Sequence, residues 1–589
     1  MLKFAYRFTE YKMKKTKDLD FYLAVMLFVA LAVFLSVFAP YRLAFKEQVG
    51  IFLWSPERIA WYFSNPAIIS AIVGDWLTQF YIKNSTAVIV TLFLLVLSWV
   101  GLVRLLFLNG AKNGVFSLAM LPVVISGAFI VWPHYPLSAL IGFLISIWAS
   151  CLVSHIKKNG LRAVVIGVGI PVMFILAGSH ALTFAGASCL LKSKRWKTNI
   201  IAFSVGIVVM LLVAHFYNYT FIRSLICPAV PNYILPHNLF LFLLPVSVFI
   251  TISVSMLTES IFKMIPFTLV SVLLLLTTYI DPVIEYSIEV GTTAYRSSDW
   301  KEIRNVANKN LNTVYGLYYR NLSYAREGKL PDELLKCEDN FYIRNLLLIS
   351  PAKNDGILMT YLTSFFFTDA LLEVGDFSQA IDCALAGQTN TPGEYSSRML
   401  RRLAEISVAA GDYDVATKYL NILSRTRNYR QWASDLIGCI ERDSIPDKYL
   451  IWRSRASDTD RFSILGAING SLNAIVADNP TNKVAIDYLM CMLLLDKNVK
   501  QFTDVYDRYW LNYLDQMIEV PHLYQEALLL NADTEESLRE TINKYSISPE
   551  IVDRFLNLMS IQFEENTDLL KGFKDTYWYF MMLDNASEN

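Results

Sequence analysis

Residues 264–290 read MIPFTLVSVLLLLTTYIDPVIEYSIEV. Up to Ile280 this is an apolar run of nearly the ~20 residues a helix needs to cross a bilayer. From Asp281 onward Glu285 and Glu289 return, and the chain stays charge-rich to its end. Residues 1–290 hold 21 Lys/Arg and 10 Asp/Glu and the remainder 31 and 42, so a net charge of zero over 589 residues conceals +11 followed by −11. A hydrophobic content of 54% is too high for a purely soluble chain of this length. The sequence is therefore expected to be all-α, with a polytopic helical membrane domain at 21–281 and a soluble helical-repeat domain at 282–589.

Working backward from the junction, residues 21–39, 87–108, 115–132, 137–154, 199–216, 239–257 and 264–280 each approach spanning length. The expected membrane domain has about eight spans and a hairpin. The first run follows Lys12, Lys14, Lys15 and Lys17 in a basic stretch at 1–20, and Phe38-Ala39-Pro40 is a poor cleavage site, so it reads as a retained anchor. Lys and Arg are held on the cytoplasmic side of short loops. Arg104, Lys112, Lys157, Lys158, Arg162, Lys192–Lys197 and Lys263 alternate accordingly with a cytoplasmic N-terminus. Residues 163–191, broken by Pro171 and Gly178-Ser179-His180, carry basic clusters at both ends and must return to the side they entered. The acidic half is then expected to lie outside the cytoplasm, with the spans in an inner (cytoplasmic) membrane and the lipid bilayer as first partner.

That topology gathers Glu47, Asp75, His134, His180, His215, Arg223, His237 and Asp281 at or near one face. Ionisable groups beside hydrocarbon are costly unless paired or wet, so they are candidate site residues, although single polar residues at span ends also serve as plain interfacial caps. In the outer loop 40–86, Ile68, Ile69, Ile72, Val73, Trp76, Leu77 and Phe80 recur at helical spacing and predict a helix along the interface.

In the second half, Gly375-Asp376-Phe377-Ser-Gln-Ala380 and Gly411-Asp412-Tyr413-Asp-Val-Ala416 match at a spacing of 36. Such a turn resembles the one joining the two helices of a tetratricopeptide repeat. Stacked pairs make a concave surface for peptides or proteins, with Phe377 and Tyr413 the expected partner surface; a structural cap is the other reading. A looser copy lies at 321–330, and 488–502 continues the pattern without the glycine.

The seven cysteines form no CxxC and no metal-ligand spacing, so no metal site is read from them. Walker, Rossmann, zincin and nucleophile-elbow motifs do not occur. An acidic soluble half without a basic stripe disfavours nucleic acid.

Four pieces, Glu47-Gln48-Val-Gly-Ile-Phe52, Gly74-Asp75-Trp76-Leu77-Thr78-Gln79-Phe80-Tyr81, Tyr524-Gln525-Glu526-Ala527 and Thr576-Tyr577-Trp578-Tyr579, resemble an uncharacterised family of bacterial multi-pass membrane proteins with a C-terminal tetratricopeptide-like domain. That resemblance implies Pro-Gly-Gly at 66–68, where this chain has Pro66-Ala67-Ile68. In architecture the chain is also similar to GT-C-type glycosyltransferases that use polyprenyl-phosphate sugars. This second resemblance implies Glu47, with Asp75 second, as catalytic base or ligand of a divalent cation, and Arg42, Lys46 and Arg223 as holders of a lipid phosphate; the paired carboxylates common in that group's first loop are missing here. His180, His237 and Asp281 complete the expected binding residues. Two functions stay open: a scaffold or assembly factor whose repeat domain binds an envelope protein, and a transferase acting on a lipid-linked sugar. A transporter is the third, because no span carries paired charges.

Overall fold

The computed structural model describes residues 2–132, 135–190, 196–220, 224–225, 243–257, 270–271, 282–337, 346, 357–391, 395–457, 468–511, 519–560 and 572–582. Every regular element among them is helical. The chain forms two compact units. One collects residues 1–285 with 391–397 and 422–432; the other holds the rest of 286–589.

In the first unit the helices are α1 (Leu2–Val37), α2 (Pro40–Gln48), α3 (Pro56–Phe63), α4 (Ile68–Thr78), α5 (Asn84–Leu108), α6 (Val115–Leu118), α7 (Met120–Ile130), α8 (Leu137–Ser154), α9 (Asn159–Ala177), α10 (Ala181–Cys189), α11 (Trp196–Phe216) and α12 (Leu243–Leu257). Among the described residues five helical runs are long and apolar enough to cross a membrane: Asp18–Val37, Asn84–Leu108, Leu137–Ser154, Asn159–Cys189 and Lys197–Phe216. They keep outward stripes of large apolar side chains, such as Ile89, Phe93, Val96 and Val100 on α5 and Leu161, Val164, Val168 and Val172 on α9. At one side chain per helical turn, such stripes suit lipid contact. The chain is a multi-pass membrane protein.

The span expected at 115–132 is instead two short helices, α6 and α7. Pro122 has no amide hydrogen to give the Leu118 carbonyl, so the helical ladder is interrupted between them. Asp20, buried near the start of the α1 span, accepts bonds from the amides of Phe116 and Ser117 at 3.0 and 2.8 Å. A carboxylate there satisfies donors at the α6 N-terminus that would otherwise be stranded. Residues 239–257 are described only from Leu243, and 264–280 lies outside the described residues except 270–271. The run through 163–191 breaks at Gly178, whose φ of 67° and ψ of −141° end α9, and α9 and α10 pack together across that break.

Small residues set the helix spacing. A β-carbon on Gly101 would meet the Ile147 side chain at 2.8 Å, and one on Gly142 would meet the Ala177 carbonyl oxygen at 2.7 Å. Backbones approach this closely in membrane bundles because dispersion and polar contacts replace the hydrophobic drive.

The second unit is a succession of short helices joined by one recurring turn. After Ile357–Val374, Gly375 takes φ 88° and the Asp376 amide reaches back to the Leu371 carbonyl at 3.0 Å; after Ser397–Ala410, Gly411 takes φ 90° and the Asp412 amide reaches Ser407 at 2.9 Å. This is the left-handed helix terminus that glycine adopts without a β-carbon penalty. The stretch that lacks the glycine makes the same turn with Lys497 at φ 56° and the Asn498 amide on the Leu493 carbonyl at 2.9 Å. Asp376 and Asn498 then cap the next helices by accepting from the amides of Gln379 and Gln501. The six described cysteines are free thiols.

Candidate functional site

Helix α2 begins at Pro40, whose fixed φ suits a first helical turn. Within nine residues it buries Arg42, Lys46, Glu47 and Gln48. Four polar side chains in that setting need partners from other segments. Arg42 pairs with Glu285 at 3.1 Å, and Glu285 also accepts from the Tyr41 amide at 3.0 Å. Lys46 Nζ donates to the carbonyls of Trp132 and Tyr135 at 2.9 and 2.6 Å. The last carbonyls of α2, on Glu47 and Gln48, accept from the hydroxyls of Ser397 and Ser396 at 2.8 and 2.7 Å. Glu47 Oε1 accepts from the Tyr429 hydroxyl at 2.8 Å and from Asn428 Nδ2 at 3.3 Å. All of these residues belong to the first unit.

Asp75 is held by α3. Its Oδ2 accepts from the Tyr62 hydroxyl at 2.7 Å and from Arg58 at 3.3 Å. Arg58 is fixed on α3, where Ser55 caps the first turn and Pro56 opens it, and its guanidinium lies 4.0 Å from the Trp61 ring and 5.3 Å from that of Tyr395. Burial pushes the Asp75 carboxyl above its usual range, against the charge of Arg58 and the bonds from Tyr62 and Arg58. The Tyr62 hydroxyl is driven up, first by its own burial and then by the Asp75 charge.

Glu47, Asp75 and Lys46 line one pocket of about 70 Å³, closed by Thr426, Asn428 and Tyr429. A water needs roughly 10–15 Å³ of such volume, so a small polar group fits here. Burial, reinforced by the charge of Arg42, lowers the Lys46 pKa to about 7. A lysine with a lowered pKa and a positioned carboxyl group thus line the same small pocket, and both are groups that can take part in proton transfer. A cation cage is a poorer match. Glu47 and Asp75 are the pocket's two carboxylates, Asp75 already serves Arg58 and Tyr62, and among the described residues no three His, Cys, Asp or Glu side chains group to hold a metal.

Of the residues expected from sequence, the structure brings together Glu47, Asp75 and Lys46. Arg42 is turned to Glu285 and does not line the pocket. His180 is buried against Phe143, with ring centroids 5.9 Å apart, and also lies outside the pocket. Arg223, His237 and Asp281 fall outside the described residues, as does His134. Phe377 and Tyr413 are half-buried in the second unit, where the Tyr413 hydroxyl accepts from Arg453 at 2.9 Å. Sequence reasoning missed Arg58, Tyr62, Asn428 and Tyr429. For Arg58 the Ser55-Pro56 helix start was a usable sign; for Asn428 and Tyr429, some 380 positions from Glu47, nothing local was.

The four quoted sequence pieces divide between two tasks. Those at 47–52 and 74–81 supply the pocket. Those at 524–527 and 576–579 clamp each other: Glu526 Oε2 accepts from the Tyr577 amide at 2.6 Å, and Trp578 Nε1 donates to the Glu526 carbonyl at 2.8 Å. No curated protein and no solved structure matches the chain. A family model does match, over residues 15–584, and the chain belongs to that family of unknown function, DUF6057.

Proposed function

We propose that the chain works in the bacterial inner membrane, in envelope biogenesis, as a GT-C-like transferase that draws on a polyprenyl-phosphate sugar. In this reading Glu47 takes the proton of an acceptor hydroxyl held in the pocket, the acceptor oxygen bonds to the sugar's anomeric carbon as the bond from that carbon to the phosphate oxygen breaks, polyprenyl phosphate leaves with the electron pair, and Lys46 in its ammonium form faces the negative charge of the departing phosphate. One observation carries it: Glu47, 4% exposed, is aimed by Tyr429 and Asn428 in the pocket that Lys46 and Asp75 share. A base must be positioned before its basicity matters. The basic loops favour a cytoplasmic N-terminus, and in that orientation the pocket opens on the outer side.

Complementation of a deletion strain with Glu47→Gln tests the reading. Glutamine keeps an oxygen for Tyr429 and Asn428, so a carboxylate that merely ties segments together tolerates the change, whereas a base does not. Loss of rescue with normal membrane levels is expected; full rescue rules out Glu47 as base.

The second unit supports another role, that of scaffold. Its turns at Gly375 and Gly411 suit a tetratricopeptide-like repeat, exported to the periplasm, whose face around Phe377 and Tyr413 binds an envelope protein. Photocrosslinkers at those two positions should capture one discrete partner, and clean lanes from both count against it.

A further inference from the structure

The second unit contains a larger cavity, of about 350 Å³, that the reading above leaves unused. Arg326, Arg401, Arg402 and Lys448 line it against Asp369 and Glu373, and Arg296 stands at it as well. The carboxylates here are already surrounded. Asp369, 5% exposed, pairs with Arg398 at 2.8 Å and Arg402 at 2.7 Å and accepts from the Tyr319 hydroxyl at 2.8 Å. Glu373 pairs with Arg326 at 2.6 Å and Arg455 at 2.7 Å and accepts from Trp452 Nε1 at 2.9 Å. Behind them Glu405, fully buried, pairs with Arg401 at 3.3 Å, with Lys448 at 3.0 Å and with Arg402. Three carboxylates thus anchor six cations.

Gathering that much positive charge in a protein interior is costly unless it is neutralised. The charges act on one another. Burial and then the charges of Arg402 and Arg401 hold the Lys448 pKa below its ordinary value, with Glu405 opposing, and Glu405 itself is pulled down by Lys448, Arg402 and Arg401 despite its burial. The aromatic walls are also committed to cations: Arg326 lies 5.0 Å from the Trp300 ring, and Lys448 lies 4.6 Å from that of Trp452. Rings already faced by guanidinium or ammonium groups do not offer a stacking platform; they hold the donors in place.

We propose that this cavity binds a multiply charged oxyanion, the phosphate ester or pyrophosphate group of a small molecule. Arginine presents a planar fork of donors that meets two oxygens of a phosphate at once, and lysine adds a movable point charge. A single carboxylate would use one such fork and leave the others; a group with three or more anionic oxygens engages several. The volume exceeds by more than an order of magnitude the roughly 10–15 Å³ a water requires, leaving room for an organic portion. The site is separate from Glu47 and does not depend on the transferase reading.

Calorimetric titration of the full-length chain in detergent micelles, with sodium pyrophosphate as probe and citrate as a carboxylate control, tests the assignment. Saturable pyrophosphate binding that weakens with added salt is expected, reduced about ten-fold or more by Lys448→Gln and by Arg401→Gln. Lys448→Arg, which keeps the positive charge beside Glu405 and Trp452, should retain binding. Melting of each variant without ligand separates lost binding from lost fold. Absence of binding to the wild-type chain, or affinity unchanged in both glutamine variants, overturns the proposal; citrate bound as tightly as pyrophosphate overturns the phosphate assignment.

Discussion

Gly74 lies so close to Ser138 that a β-carbon added to it would stand 2.6 Å from the Ser138 Cα and amide nitrogen. The contact sets α4 on α8, one residue before Asp75. Gly74→Ala should therefore push α4 outward, destabilising the first unit by about 1–3 kcal/mol and displacing Asp75 from the pocket. Because the clash is with backbone, Ser138→Gly should not rescue it. Thermal melting of the single and double variants checks this, and a double variant restored to wild-type stability contradicts it.

Ala67 occupies the left-handed region, φ 70°, at the start of α4, donating its amide to the Phe174 carbonyl at 3.3 Å. An L-residue there is strained by about 1–2 kcal/mol, while replacing a fully buried alanine by glycine forfeits about 0.8 kcal/mol of methyl burial and about 0.5–1 kcal/mol of backbone entropy. The terms nearly cancel, so Ala67→Gly should be neutral to within about 1 kcal/mol, whereas Ala67→Val should be markedly destabilising. Denaturant titration of both variants separates these outcomes.

Lys46 should make stability depend on pH in a definite direction. Its pKa falls from 10.5 to about 7 on folding, so between those values the unfolded chain holds a proton that the folded chain does not. Stability then rises as pH increases through that window, and below it the cost of the buried ammonium is fully present. Relative to Lys46→Met, the wild-type chain should gain up to a few kcal/mol between pH 7 and 10; parallel pH profiles would refute the assignment.

Glu526 gives the opposite slope. Burial raises its pKa from 4.5 to about 8, against the bond from the Tyr577 amide. Between those values the folded chain keeps a proton the unfolded chain has lost, so this contribution is full below pH 4.5 and declines as pH rises toward 8. Glu526→Gln, which can still accept from Tyr577, should equal wild type at low pH and exceed it near pH 8. Unfolding midpoints measured across that range decide the matter.

What could be read from sequence followed the range of the interactions involved. Spans were legible because lipid acts on every residue of a helix, and the Gly375 and Gly411 turns because only glycine takes a left-handed φ without strain. Glu47 and Asp75 stood out as charges near hydrocarbon. The interruption at Ala119 goes with Pro122, a backbone effect that the hydropathy of 115–132 does not register. Lys497 makes the turn with no glycine to announce it, because the Asn498 cap and the amide bond to Leu493 support the strained residue. Arg42 was expected as a phosphate holder by type and position, and its pairing with Glu285, far along the chain, had no local sign.

The grouping of residues 391–397 and 422–432 with the first 285 also fixes an order of events during synthesis. A nascent chain can insert each of its described spans while Tyr429 and Asn428 are still untranslated. Until the ribosome passes residue 432, Glu47 lacks the two donors that aim it. A chain truncated at the membrane boundary should therefore insert normally with Glu47 lacking its bonds from Tyr429 and Asn428.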